Sequence, residues 1–408
     1  PGARPRTPRE GEIERPTRGA RPHDPDWWLL VTIVALVVFG TVMIFSATFA
    51  RDLPEGGDPL RFLRKQLVWV AIGGSAFLVT MRIDYHVWRR FSVVALLGAI
   101  LLLMLVLVPG LGVGADEVGA RRWLNLGPLP QFQPSELAKA ALVLYLADWL
   151  TTKGERLRDW RTGAVPFTVL LGTLILLVML EPDLGTSALL AIIGGSMFLV
   201  AGADLRQFAL LIGSGAFAFV GLALSASYRR DRLALFMKSD EELRLLGDGW
   251  QLWQARLATG SGGLVGVGLG ASRIKYGWLP EAHTDSIFAV VGEELGLLGC
   301  GCLLALFFLL AVRGYRVAAR APDRFGALLA TGIVSWIAFQ ALINIGGITT
   351  TIPFTGVPLP FISYGGTSFM VVTAVTGVLV NISCQTRNTA SAGAERGTRN
   401  EGETNARQ

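Results

Sequence analysis

Asp285 is the residue whose position points most directly to chemistry. It ends the sequence His283-Thr284-Asp285, where a polar stretch gives way to a long apolar one. A carboxylate at such a boundary could act as a general base on a substrate held at the membrane surface. Alternatively, Asp285 or Thr284 could cap the helix that starts here by accepting hydrogen bonds from its first N–H groups. His283 is expected to be a supporting loop residue rather than the base.

A second group of candidates surrounds Arg122 and the segment that follows it. Pro134 fits the first turn of a helix, which would place Glu136 and Lys139 three residues apart on one face. A lone charge in the middle of a membrane costs roughly 2.5–3.5 kcal/mol, and a pair of opposite sign facing other helices costs less. The pair either fixes helix packing or forms a polar wall of a substrate cavity, and the two roles are compatible.

Two more pairs of carboxylates interrupt the apolar background. Glu181 and Asp183 flank a proline in a turn between two apolar stretches. Asp183 either caps the next helix or belongs to a site on the same membrane face as Asp285. Glu293 and Glu294 lie two to three turns into the apolar stretch that follows Asp285. At least one of them is expected to face a polar interior, because exposing both to lipid would be costly.

The elements that must position these residues are membrane helices. The chain has 408 residues, of which 51% are hydrophobic and only 17% are charged, against about 25% charged residues in soluble domains. Its mean hydropathy is +0.49. Apolar segments of about 20 residues cross a bilayer, and their backbone groups require a helix. The sequence predicts an all-α polytopic membrane protein with ten spans at 27–50, 66–81, 91–109, 134–151, 165–181, 186–202, 207–226, 286–312, 326–350 and 367–385.

The distribution of Lys and Arg predicts that both chain ends are cytoplasmic. Basic clusters precede the first span and follow the second, fourth, eighth and tenth, whereas the short connections at 182–185 and 354–366 have none. Seven spans precede Asp285, which is therefore expected on the outer face. The net charge of +6 reflects this bias and the charged tails, so nucleic-acid binding is not expected.

One transmembrane domain, residues 27–385, is expected between two disordered cytoplasmic tails, 1–26 and 386–408, whose compositions cannot form a core. A long outer loop, 227–285, joins the seventh and eighth spans. Its glycine-rich run, 260–270, indicates a close approach of backbone to a lipid head group or a neighbouring helix. Nucleotide binding is not expected there, because the run lacks the Gly-Lys-Ser/Thr ending.

Residues 355–367 contain prolines and glycines that oppose a regular helix, and they predict a non-helical outer loop that lines a cavity. Cys300 and Cys302 have no metal-binding spacing and no partner ligands, so no metal site is predicted.

Six motifs occur in an order that resembles the SEDS family (shape, elongation, division and sporulation), the FtsW/RodA group. The resemblance covers about residues 27–385, and the form of 281–285 is closer to the division branch than to the elongation branch. The motifs are Arg122-Trp123 with Gln133–Lys139, Pro182–Thr186, Gly260–Gly270, Pro280–Asp285, Glu293–Gly296 and Pro358–Gly366.

The resemblance implies a peptidoglycan glycosyltransferase that polymerises lipid II, a disaccharide-peptide on undecaprenyl pyrophosphate, on the outer face of the cytoplasmic membrane at the division septum. Asp285 matches the family's catalytic Asp. The family's functionally required Glu and Lys match Glu136 and Lys139, and its basic position matches Arg122. Further supporting or substrate-binding candidates are Asp183, His283 and Glu293. Expected partners are a class B penicillin-binding protein, other division proteins and membrane lipids.

The chemistry of glycosyl transfer suits these residue types. A base must take the proton from the attacking sugar hydroxyl, and positive charge must stabilise the departing pyrophosphate. Asp285 fits the first role, and Lys139 and Arg122 fit the second. A divalent cation could also serve, although no ligand spacing requires one. A flippase or transporter, a non-catalytic scaffold and an elongation-type polymerase remain alternatives; no internal duplication of the kind that favours transport is evident.

Overall fold

A computed structural model describes residues 24–49, 58–115, 120–125, 127, 131–225, 230, 234–245 and 249–386. The tails predicted to be disordered, 1–26 and 386–408, lie outside the described residues apart from 24–26 and 386.

Ten long helices in the described part of the chain lie at the ten predicted positions, which confirms the all-α polytopic fold. Seven of the described helical segments are long and apolar enough to cross a membrane. Two others, α4 and α7, are shorter and apolar, and α5 carries Glu136 and Lys139. The helices are α1 (Trp27–Phe49), α2 (Arg61–Arg82), α4 (Ser92–Leu107), α5 (Pro134–Lys153), α6 (Val165–Leu180), α7 (Leu184–Val200), α8 (Leu205–Ser225), α11 (Ile287–Arg320), α12 (Arg324–Ile348) and α13 (Gly366–Ser383).

Smaller elements connect these helices, and the two strands among them were not predicted from the sequence. An antiparallel hairpin of β1 (Gly112–Ala115) and β2 (Ala120–Leu124) pairs Gly112 with Leu124 and carries Arg122. The described part of the predicted loop 227–285 includes helices at Asp240–Leu245 and Trp250–Ser261. The short helices are α3 (Tyr85–Arg89), α9 (Asp240–Leu245) and α10 (Trp250–Ser261), with a 3-10 turn at Gly154–Arg158 and a π turn at Trp160–Ala164.

Helix α12 lies at the centre of the bundle. It packs against α5, α7 and α11, while α2 pairs with α13 and α1 pairs with α11. Residues all around α12 are buried, including Trp336, the largest fully buried side chain in the described structure. A helix that is enclosed on every side can present polar groups only to other protein elements. The polar side chains of α12 therefore mark the polar part of the bundle interior.

Helix α11 is interrupted at Gly296, whose φ of 63° and ψ of −161° are not helical. The glycine-rich run inserts its backbone at this break. The N–H groups of residues 267–268 donate to the carbonyls of residues 293–294, at 3.0 and 3.1 Å. The N–H groups of residues 297–298 donate to the carbonyls of residues 263–264, at 2.9 and 3.0 Å. The run thus satisfies backbone groups that a broken membrane helix would leave without partners, and its predicted close approach to a neighbouring helix is confirmed.

Gly266→Ala is expected to destabilise this junction by about 2–4 kcal/mol. Gly266 has a φ of +80°, and a Cβ there would lie 2.1 Å from the Glu294 carbonyl oxygen. Thermal unfolding of the purified protein in detergent measures the effect. Gly260→Ala is the matched control, because no heavy atom lies within 4 Å of its Cβ position and a helical Gly→Ala change is mildly favourable. Equal unfolding temperatures for the two variants would contradict the fitted junction.

Candidate active site

The segment that carries Asp285 is held in place by its backbone. The three consecutive carbonyls of residues 283–285 accept hydrogen bonds from the Tyr364 N–H at 2.8 Å, Ser363 Oγ at 2.6 Å and Asn344 Nδ2 at 2.8 Å. Residues 349–365, the irregular connection between α12 and α13, supply two of these donors. The predicted non-helical loop is confirmed, and we call it the 349–365 loop. Its contacts fix the main chain from which the partly exposed Asp285 side chain projects.

The expectation that Asp285 or Thr284 caps the eighth span is wrong. Helix α11 has Ser286 as its N-cap residue, without a capping hydrogen bond from its side chain. The Ser286 hydroxyl instead accepts a hydrogen bond from Gln251 Nε2 of α10 at 3.0 Å. Thr284 Oγ1 donates to Glu281 Oε2 at 2.7 Å and lies 3.3 Å from Asp285 Oδ1. The Asp285 carboxylate is therefore not used to start the helix.

His283 packs into an aromatic cluster next to Asp285. Its ring centroid lies 5.1 Å from that of Phe62 at the start of α2 and 5.6 Å from that of Tyr364. The Phe62 and Tyr364 rings are 5.5 Å apart in an edge-on arrangement. Aromatic pairs at these distances are attractive beyond their buried area. His283 lies in the loop as predicted and ties the Asp285 segment to α2 and to the 349–365 loop.

Glu136 and Lys139 form the predicted i,i+3 ion pair. Lys139 Nζ donates to Glu136 Oε1 at 2.8 Å, and the two side chains are 0% and 1% exposed. Lys139 also donates to Gln340 Oε1 of α12 at 3.0 Å, and its ammonium lies 5.0 Å from the centre of the Trp336 ring. Pro134 begins α5 and so brings both charges into its first two turns. The pair faces the bundle interior, where α12 supplies its neutral partners.

Arg122 is held by the turn between α6 and α7. Its Nε donates to the Glu181 carbonyl at 3.1 Å, and its terminal nitrogen donates to the Pro182 carbonyl. Burial raises the pKa of Glu181 to about 9, with a further rise from the Asp183 carboxylate and an opposing effect of Arg122. Glu181 is therefore a neutral acid near pH 7 and does not offset the Arg122 charge. Nothing in the residues around Glu181 indicates this protonation from sequence alone.

Asp183 caps α7, as one of its two predicted roles required. Its carboxylate accepts hydrogen bonds from the Thr186 N–H at 2.9 Å and from Thr186 Oγ1 at 2.8 Å. The following turn is packed closely against the 349–365 loop, since a Cβ on Gly185 would lie 2.3 Å from Val357 Cγ2. The α6–α7 turn and the Asp285 segment thus both contact the 349–365 loop.

Glu293 and Glu294 both face a polar interior, which confirms the prediction that at least one does. Glu293 accepts hydrogen bonds from Ser272 Oγ and, at 3.0 Å, from the Arg273 N–H. Glu294 accepts from Lys275 Nζ at 3.0 Å and from Ser46 Oγ of α1 at 2.5 Å. Lys275 is almost fully buried. These contacts tie the broken helix to the preceding loop and to α1.

Several residues of this interior were missed by sequence reasoning. Trp336, Gln340 and Asn344 repeat at intervals of four in an otherwise apolar span, and that spacing places them on one helix face. This signal was available. Lys275 had no such signal, since nothing in its local sequence indicates that it pairs with Glu294. Over the described ranges, no group of three or more His, Cys, Asp or Glu side chains could hold a metal ion.

These features define a polytopic helical membrane protein with buried polar groups between α5, α12 and the 349–365 loop, and with the partly exposed Asp285 on a segment bonded to that loop. Comparison with known sequences assigns the family. The chain belongs to the FtsW/RodA/SpoVE family, described as cell cycle proteins, whose profile matches residues 27–388.

Curated relatives align along nearly the whole chain. Stage V sporulation protein E of Bacillus subtilis (strain 168) is 40% identical over 363 residues, which are 89% of this chain and 98% of that protein. The probable peptidoglycan glycosyltransferase FtsW of Geobacter metallireducens is 40% identical over 364 residues, 89% of this chain and 96% of that protein. FtsW of Escherichia coli O6:H1 is 38% identical over 378 residues, 92% of this chain and 89% of that protein.

Solved structures share the fold. A chain from a study of the coordination of polymerization and crosslinking by a peptidoglycan synthase complex has a TM-score of 0.71 and 28% identity, covering 88% of this chain and 97% of its own. The rod shape determining protein RodA of Thermus thermophilus has a TM-score of 0.65 and 27% identity, covering 89% of this chain and 98% of its own. The resemblance to the SEDS group is thereby confirmed in both sequence and structure.

Proposed function

We propose that this protein is a peptidoglycan glycosyltransferase that polymerises lipid II on the outer face of the cytoplasmic membrane. The observation that carries the proposal is the placement of Asp285. Its carboxylate is partly exposed and is not used as a helix cap, while its backbone is fixed by donors from α12 and the 349–365 loop. A general base needs this combination of access and fixed position. The activity agrees with the names of the FtsW relatives.

In the proposed reaction, Asp285 takes the proton from a sugar hydroxyl of one lipid-linked glycan. The hydroxyl oxygen forms a bond to the sugar carbon that carries the pyrophosphate of the other glycan. The bond between that carbon and the pyrophosphate oxygen breaks, and the electron pair leaves with the pyrophosphate. A positioned base contributes about 10²–10⁴-fold to such a step. The substrate loses no other atoms, and the proton remains on Asp285 until water removes it.

Arg122 is the proposed partner of the departing pyrophosphate. Its guanidinium is partly exposed and bonded to two main-chain carbonyls, and neutral Glu181 leaves its positive charge in place. Arg is well suited to phosphate oxygens because several N–H groups point in fixed directions. The remaining candidates support this centre: Asp183 caps the adjacent helix, His283 fixes the Asp285 loop, and Glu293 holds the break in α11.

A class B penicillin-binding protein, which crosslinks new strands, is the proposed partner, together with other division proteins and membrane lipids. The similar solved chain belongs to a peptidoglycan synthase complex, and the FtsW relatives favour the division septum over an elongation role.

The direct test is polymerisation of purified lipid II by the full-length chain in detergent or liposomes, with and without the crosslinking partner. Glycan strands resolved on a gel are the expected product. Movement of labelled lipid across the liposome membrane without strand formation would instead favour the flippase alternative. No strands in either condition would contradict the proposal.

The mechanism requires Asp285 outside the cell and both tails inside. Single cysteines at Ser239 and Ser391, in a background lacking Cys300, Cys302 and Cys384, test this arrangement in intact cells. A membrane-impermeant thiol reagent is expected to label position 239 and to spare position 391, with full labelling of both after lysis as the control. The reverse pattern would place Asp285 in the cytoplasm and overturn the proposed reaction together with the orientation.

A further inference from the structure

Two amide side chains on α12 connect the buried ion pair of α5 to the Asp285 segment. Lys139 Nζ donates to Gln340 Oε1 at 3.0 Å, and Gln340 Nε2 donates to the Pro358 carbonyl at 2.8 Å. Trp336 Nε1 also donates to Gln340 Oε1, at 2.7 Å. With its oxygen occupied by two donors, the Gln340 amide can point its nitrogen only toward Pro358. The ion pair therefore fixes the orientation of this amide.

Asn344 lies one turn further along the same face of α12. Its Nδ2 donates to the Val357 carbonyl and to the Asp285 carbonyl, both at 2.8 Å. Val357 and Pro358 are consecutive, so Gln340 and Asn344 hold adjacent carbonyls of the 349–365 loop. That loop in turn donates from Ser363 Oγ and the Tyr364 N–H to the carbonyls of residues 283–284. Hydrogen bonds on either side of the Val357–Pro358 main chain therefore connect Lys139 to the main chain of Asp285.

Burial makes this set of bonds stiff. Lys139 and Gln340 are 0% exposed and Asn344 is 3% exposed, so water has little access to replace a lost partner. A buried carbonyl that loses its donor is left unsatisfied, which destabilises the displaced arrangement. Hydrogen bonds in such surroundings favour the geometry in which they form, because a bond that is lost is not replaced by one to water.

We propose, on the basis of the proposed function, that Gln340 and Asn344 are positioning residues through which the Glu136–Lys139 pair sets the position of Asp285. Lys139 acts in this scheme without touching the substrate. The Lys139 ammonium is enclosed by Glu136, Gln340 and the Trp336 ring. The competing role, contact between Lys139 and the substrate phosphate, becomes an outcome of the test.

The test compares Asn344→Leu, Lys139→Met and their double variant in lipid II polymerisation per folded protein. Since a displacement of about 1 Å at a reacting group can cost 10²-fold, each single variant is expected to lower kcat about 10- to 100-fold with KM within about threefold. The kcat of the double variant is expected to lie within about threefold of that of the slower single variant, because both substitutions disrupt the same connection. A raised KM for Lys139→Met, and losses that multiply in the double variant, would assign Lys139 to the phosphate and overturn the proposal.

Asn381→Leu is the matched control for Asn344→Leu. Asn381 is 7% exposed and also donates through Nδ2 to a main-chain carbonyl, that of Met81, at 2.8 Å. It lies near the end of α13 that is remote from the 349–365 loop. Both substitutions remove an Nδ2 donor from a buried main-chain carbonyl, and Asn381→Leu also removes the acceptor of the Tyr85 N–H at 3.0 Å. With a purely structural effect, the loss of activity in Asn381→Leu would therefore at least equal the loss in Asn344→Leu. Such an equal or larger loss would overturn the positioning role.

Amide hydrogen exchange provides a readout that does not depend on activity. In both Lys139→Met and Asn344→Leu, peptides covering 281–289 and 357–365 are expected to exchange at least tenfold faster than in the wild type, and Asn381→Leu should leave them unchanged. Unchanged exchange at 281–289 in Lys139→Met would overturn the connection even if all variants polymerise lipid II. If the wild type forms no strands, the proposed function fails, while the exchange data still decide whether the connection exists.

Discussion

Asp285→Asn is expected to lower the rate of glycan polymerisation by at least 10²-fold while leaving the protein folded. The substitution keeps the size of the side chain and removes its ability to accept a proton, and a general base contributes about 10²–10⁴-fold. The main-chain carbonyl of residue 285, which accepts the Asn344 hydrogen bond, is unchanged, so the segment should keep its position. Asp285→Ala should behave alike. Strand formation from lipid II, measured at equal amounts of folded protein, checks the effect.

Glu281→Gln is the matched control for this substitution. Glu281 is an exposed carboxylate on the same loop. Its main-chain carbonyl accepts hydrogen bonds from the N–H groups of Thr284 and Ser286 at 3.1 and 3.2 Å. Its amide variant preserves these bonds and should polymerise lipid II within about twofold of the wild type, since surface substitutions have small effects. Near-normal activity of Asp285→Asn, or an equal loss in Glu281→Gln, would remove Asp285 as the base.

Lys139→Met is expected to destabilise the protein by about 3–5 kcal/mol, because it leaves Glu136 buried without its cation. Removal of the other partner, in Glu136→Leu, should lower the stability by a similar amount, because it leaves Lys139 buried without its carboxylate. Thermal unfolding in detergent measures both, and Lys153→Met is the control. Lys153 ends the same helix and lies over the Trp149 ring without an ion pair in the described structure, so its loss should have little effect.

The charge-swapped variant Glu136→Lys/Lys139→Glu separates stability from function. It restores a pair of opposite charges, so part of the stability should return. Activity should not return, because a carboxylate at position 139 would face Gln340 Oε1. The amide would have to turn its nitrogen toward position 139 and release the Pro358 carbonyl. Full recovery of polymerisation in the swapped variant would show that the pair has only a role in helix packing.

The parts of the fold that could be predicted from the sequence depend on local properties. The positions of the ten long helices follow from the apolar stretches of the sequence, and the pairing of Glu136 with Lys139 follows from their helical spacing. The Asp183 cap is likewise a contact within three residues. Each of these features depends on residues that lie close together in the sequence.

The parts that could not be predicted depend on contacts between distant segments. Asn344 meets the Asp285 carbonyl across 59 positions, and Ser46 meets Glu294 across 248. The sequence left open whether Asp285 or Thr284 caps α11, because Thr284, Asp285 and Ser286 are all good capping residues. The helix begins after Ser286, and the tertiary contacts of the loop decide this. The hairpin that carries Arg122 was missed because its strands have only four and five residues, and two of the four residues of β1 are glycines.

The break in α11 also bears on the order in which the chain enters the membrane. Synthesis proceeds from the N-terminus, so the glycine-rich run leaves the ribosome before the helix whose open backbone groups it will satisfy. When α11 reaches the lipid, its hydrogen-bonding partner is already available on the chain just ahead of it. A rearranged gene that placed residues 260–270 after α11 would send the broken helix into lipid with its backbone groups at 293–298 unsatisfied. The position of the run in the sequence therefore protects membrane insertion as well as the finished structure.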